Sequence, residues 1–206
     1  ATNAVGSVTR TTAVAIVSAA DRFVDNVNGS DSNPCTQALP CKSIFQSLTG
    51  APAGSTLALA DGTYTQASEG HFTIGVPDGV TLTAMHPGAV TLADVDLFLH
   101  GSATLDGVAF GMSGPPGSNT CGSISASGSP TTTYTVTLNG VFSNCRNWLG
   151  LGPNMKAVMT PGALPGGIYT TGFGNGGVAQ WISLFGNAEL LIQGGVLEGN
   201  GTGSAY

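Results

Sequence analysis

The sequence predicts an all-β chain folded as a single-domain parallel β-helix, a solenoid of stacked coils closed at one end by a short capping helix. Three observations carry that prediction. Thr56-Leu57-Ala58-Leu59, Val80-Thr81-Leu82-Thr83 and Ala103-Thr104-Leu105-Asp106 superpose with Leu59, Leu82 and Leu105 equivalent, 23 residues apart at each step. A second ladder shares that period, Phe72-Thr73-Ile74 recurring as Leu97-Phe98-Leu99 with Ile74 and Leu97 again 23 residues apart. Two ladders with one period mean coils of at least two short strands each, and a period in the twenties suits stacked β-solenoid rungs. Finally, 32 glycines and only 8% charged residues in 206 fit a fold that spends several turns on every coil.

Taken in order, residues 1–20 form an amino-terminal extension whose apolar core, Ala13 to Val17, follows Arg10 and precedes Ser18-Ala19-Ala20. That pattern fits the tail of a secretory signal, but its β-branched content also suits a strand. Such a strand lies along the protein's own first rung or adds to a neighbouring subunit. Phe23-Val24-Asp25 is the expected first strand of a β-helix domain over residues 21–206. The turn-rich loop from Asn26 to Pro34 follows it. Asp25 and Asp31 there are weak Ca²⁺ candidates, and no EF-hand spacing supports them. Four cysteines imply two disulfides and an oxidising compartment. Of three possible pairings, Cys35-Cys41 with Cys121-Cys145 is favoured, and no C-x-x-C pair argues for a metal site instead. Ile44, Phe45 and Leu48 share one helical face before Gly50-Ala51-Pro52, which predicts a cap helix over about residues 42–49.

At this point a family resemblance enters. Phe23-Val24-Asp25 through Gly29-Ser30-Asp31-Ser32-Asn33-Pro34, then Pro40-Cys41-Lys42-Ser43-Ile44, Ala51-Pro52-Ala53-Gly54-Ser55-Thr56-Leu57 and Asp61-Gly62-Thr63-Tyr64 resemble the amino-terminal part of pectin-lyase-like right-handed β-helix proteins. The resemblance is closer to extracellular members of uncharacterised function and covers about residues 21–110. It implies a right-handed coil, as parallel crossovers generally prefer. It transfers no catalytic residue, because the matched segments are caps and turns.

Beyond Phe110 the ladder continues through Leu138 and Ile192, with Ile168 as the expected intermediate, while the second runs through Ile124, Val158 and Ile182. The longer steps leave room for excursions at residues 114–120, 147–153 and 160–167. This irregular region supplies Arg146, Trp148 and Lys156, the candidate ligand-binding residues, with Trp148 either stacking on a sugar or anchoring its loop on the core.

Catalytic chemistry is sparse. Asp94, Asp96 and Asp106 form the best carboxylate constellation, but solvated turn aspartates explain all three. His71, His86 and His100 make no ligand or triad pattern, and no nucleophile elbow, phosphate loop or dinucleotide fingerprint occurs. The Thr-rich run 131–137 does not repeat from rung to rung in the sequence. A net charge of −6 gives no cationic footprint for nucleic acid, and no apolar run approaches the roughly 20 residues of a membrane span. Asn28-Gly29-Ser30 and Asn200-Gly201-Thr202 match glycosylation acceptors. No cofactor is expected, Ca²⁺ being the one candidate.

The expectation is therefore a secreted, non-enzymatic structural protein of a cell-surface layer, fibre or adhesive assembly. It would associate with itself or with another surface protein through the amino-terminal strand and an uncapped carboxy-terminal rung. The rival is a carbohydrate-active β-helix protein, lyase, glycosidase or glycan-binding module, working near Trp148.

Overall fold

The computed structural model describes residues 20–111, 121–143, 148–161 and 182–194. The amino-terminal extension, Arg146, Cys145, Ile168, Asn200 and most of two of the three expected excursions, 114–120 and 160–167, lie outside those residues.

The chain advances coil by coil. Strand β1 (Arg22–Val24) and helix α1 (Ile44–Leu48) open it. The first full coil holds β2 (Thr56–Leu59), β3 (Gly62–Thr65), α2 (Gln66–Glu69) and β4 (Thr73–Val76), and the second β5 (Val80–Ala84), β6 (Val90–Ala93) and β7 (Asp96–Leu99). The third has β8 (Ala103–Asp106), β9 (Val108–Gly111) and β10 (Ser123–Ala126), and the fourth β11 (Tyr134–Asn139), β12 (Phe142–Ser143) and β13 (Leu149–Leu151). Then come β14 (Met155–Thr160), β15 (Ile182–Leu184) and β16 (Glu189–Ile192).

Every strand pairing is parallel, and the strands sort into three sheets: β1-β2-β5-β8-β11-β14-β16, β3-β6-β9-β12 and β4-β7-β10-β13-β15. The protein is thus all-β with stacked parallel strands and two short helices among the described residues, an arrangement compatible with a β-solenoid. Each full coil contributes three strands, where the ladders had revealed two. The missed sheet begins at Gly62-Thr63-Tyr64, whose turn-like Gly hides a strand start.

Alternation drives the packing. In β5 and β8 every second side chain is buried, and successive coils superpose like on like. Leu57, Leu82, Leu105, Leu138, Met159 and Ile192 form one file, and Ile74, Leu97, Ile124, Leu149 and Ile182 another. The expected spacings of Ile74 to Leu97 and Leu105 to Leu138 hold.

Three registers need correction. Leu82 stands over Leu57, not Leu59, which pairs with Ala84. A two-residue slip keeps every side chain on its face, so hydrophobic alternation does not distinguish the two registers. Met159, not Ile168, is the step between Leu138 and Ile192. Leu149, not Val158, continues the second ladder, because Val158 lies in β14 of the other sheet.

The amino-terminal end is closed by α1, which packs on β1 and β4 with Ile44 and Leu48 buried. Ser43 caps it, its hydroxyl accepting from Gln46 N at 3.1 Å. The helix is shorter than the expected 42–49 because Lys42 and Ser43 serve as its approach. Beside it, Cys35 and Cys41 form a disulfide with their Cα atoms 4.5 Å apart. Phe23 N and Asp25 N donate to Cys35 O and Cys41 O, so this loop occupies the outer edge of β1. Cys121 is also disulfide-bonded.

Candidate functional site

The three candidate aspartates are held apart by different tasks. Asp94 has φ 55° in the turn from β6 to β7, and its Oδ1 accepts from Gln66 N, the start of α2, at 2.7 Å. Asp96 points outward from β7 and receives hydrogen bonds from the Ser123 and Ser125 hydroxyls of the next coil. Asp106 closes β8 on another sheet, and burial raises its pKa above the ordinary carboxylate value. The alternation that would have put Asp94 and Asp96 on one face is broken by the left-handed turn residue. These three carboxylates are therefore not paired in the way that glycoside hydrolysis requires.

The loop aspartates do structural work. Asp25 Oδ1 accepts from Val27 N and Asn28 N, both at 2.9 Å, and Oδ2 from Asn28 Nδ2 at 3.0 Å. Burial pushes that carboxyl up, but the Asn28 and Val27 donors outweigh it and hold it below its usual value. Asp31 accepts from Lys42 N, Ser43 N and the Ser43 hydroxyl, at 2.9, 2.8 and 3.0 Å. No group of three potential metal ligands occurs among the described residues. Asn28 is exposed, its side-chain amide turned to Asp25.

Trp148 is fully buried, its ring 5.8 Å from that of Phe110, and its Nε1 has no hydrogen-bond partner. It anchors the core and presents no face on which a sugar could stack. The residues after it form β13, a rung strand, where an excursion at 147–153 was expected. Lys156 projects from β14 toward Glu189 at 4.0 Å, an exposed pair. The histidines lie at the surface as expected, His71 stacked on Phe45 and His86 Nδ1 2.9 Å from Asp61.

Two outward arrangements escaped the sequence. Phe98 stands on β7 next to Asp96, in register with Gly75 and Ser125, and meets the ring of His100 edge-on at 5.0 Å. On the largest sheet Thr56, Thr81, Thr104 and Thr137 stack in register over four coils. The Thr signal does repeat, but its irregular steps conceal it from a fixed period.

The described residues contain no helix long and apolar enough to cross a membrane, which leaves strand-built spans unaddressed. No curated protein and no solved structure matches the chain. A family model described as a protein of unknown function (DUF1565) matches residues 27–119, the cap, the first two coils and the third as far as β9, and this is the family to which that stretch is similar.

Proposed function

We propose that the chain is a non-enzymatic structural protein of the extracellular surface, a right-handed β-helix that pairs with a second copy through the apolar surface beside β15 and β16. The state of the two ends carries this reading. At the cap, the Cys35–Cys41 loop and α1 occupy the first strand's edge and the core beneath it. At the other end, β16 is the last described strand of its sheet, and Leu184, Phe185, Leu191 and Ile192 are exposed. Ile192 stands over the fully buried Met159, yet is 42% exposed itself. Exposed apolar groups beside the last described strand of a sheet favour association.

Joining two such ends brings like to like. The contact is two-fold and closes as a dimer, whereas a fibre would need the blocked end to accept the open one. Disulfides support an oxidising, extracellular setting. Light scattering across a concentration series tests this: the wild type should pass from monomer to dimer, and Leu191→Lys and Phe185→Ser should remain monomeric. A wild type that is monomeric throughout, or micrographs full of long fibres, would sink the proposal.

The outward Phe98, flanked by Asp96, Ser123 and Ser125, favours glycan binding as a second reading. Retention of soluble polysaccharides, lost in Phe98→Ala with the fold intact, is its signature. Equal retention by wild type and variant would remove it.

A further inference from the structure

Glu69 is the last residue of α2, only 4% exposed, and it reaches across to the cap. Its Oε2 accepts from Phe45 N, in the first turn of α1, at 3.0 Å. Its Oε1 is buried with no hydrogen-bond partner. No ion pair compensates the carboxylate among the described residues: both such pairs lie elsewhere. The groups facing this contact are Asp31, which grips Lys42 N and Ser43 N on the approach to α1, Tyr64 from β3, and His71, stacked on Phe45 at 3.5 Å. Asp31 is acidic and repels the Glu69 charge. Tyr64 donates its hydroxyl proton toward the carbonyls of Val24 and Ala60 and offers Glu69 nothing.

A charged carboxylate with one naked buried oxygen is more costly than the neutral acid in the same place. We propose that Glu69 is a proton-operated latch on the amino-terminal cap, holding α1 against α2 when protonated and releasing it when ionised. Burial foremost, with the Asp31 charge adding to it, raises the Glu69 pKa to about 7, although the Phe45 and Ile44 amides oppose the shift. A carboxyl raised on closing favours the closed form at low pH, and that advantage is lost as pH rises through about 7. Ionisation draws Glu69 toward water. Phe45 N then loses its acceptor, and Ile44 and Leu48 lift from the first coil.

Hydrogen exchange of the 43–49 segment, corrected for intrinsic rates, reads the latch directly. Its protection relative to β5 and β8 should fall about ten-fold from about pH 6 to about pH 8.5 in the wild type and stay level in Glu69→Gln. Because imidazoles change charge in the same range, His71→Phe must retain the fall. Wild-type protection that is independent of pH, a fall that persists in Glu69→Gln, or one that vanishes in His71→Phe overturns the proposal. If Glu69→Gln does not fold, the carboxyl carbon shift of wild-type Glu69 decides. A midpoint near 7 upholds the latch, and one at the ordinary glutamate value refutes it.

Discussion

Single residues show where chemistry and packing disagree with appearance. Trp148, among Asn, Arg and Gly, could read as a sugar platform or as a loop anchor, and its ring fills the core against Phe110. Trp148→Ala should cost about 3–5 kcal/mol in denaturant unfolding, while leaving any glycan affinity of the folded fraction unchanged. Gly107 links β8 to β9 at φ 67°, and an added Cβ would lie 2.8 Å from Pro87 Cα. Gly107→Ala is therefore expected to lower stability by about 1–3 kcal/mol, read as a drop in the thermal midpoint. Asp25 was visible as a turn residue, since Asn, Gly and Ser surround it. Its pKa is depressed, so its contribution is present above the unfolded-state value and disappears as pH falls through the folded one. Glu69 left no mark in the sequence, because its burial comes from α1, folded over it from more than twenty residues upstream.

At the level of elements, α1 was legible because its apolar spacing and the Gly50-Ala51-Pro52 stop are local. Helix α2 was not. Its capping box is Thr65 with Ser68, and its stop is the left-handed Gly70, a four-residue signal too short for any periodicity. The Cys35–Cys41 pairing was readable from spacing, but its work on the edge of β1 was not, since that needs the fold. Selective reduction of this bond should cost about 2 kcal/mol by loop entropy and accelerate exchange at Phe23 and Asp25, whose amides bond to the loop. Unchanged exchange at those two amides would show that the loop protects nothing. Chelation offers a contrast. Asp31 spends its carboxylate on α1, so EDTA should leave the melting curve unmoved, and a fall in midpoint would count against that assignment.

For the whole molecule, the repeat was legible wherever the coil length stayed constant and ambiguous wherever it changed. Two-residue slips keep inside and outside intact, which is why Leu59 was mistaken for the partner of Leu82 while the core composition was still read correctly. The candidate site fared worse: facing across coils is a property of register, and register is what irregular steps obscure. Each coil touches chiefly the one before and the one after, so stability is a chain of neighbour terms rather than a single pooled core. One end of that chain is clamped by a covalent loop, and β16 is the last described strand at the other. Under tension the described coils should behave as a ratchet anchored at its disulfide end. Pulled in a force spectrometer, the described coils should peel from the β16 side toward the disulfide, releasing chain in coil-sized steps whose order follows the sequence backwards.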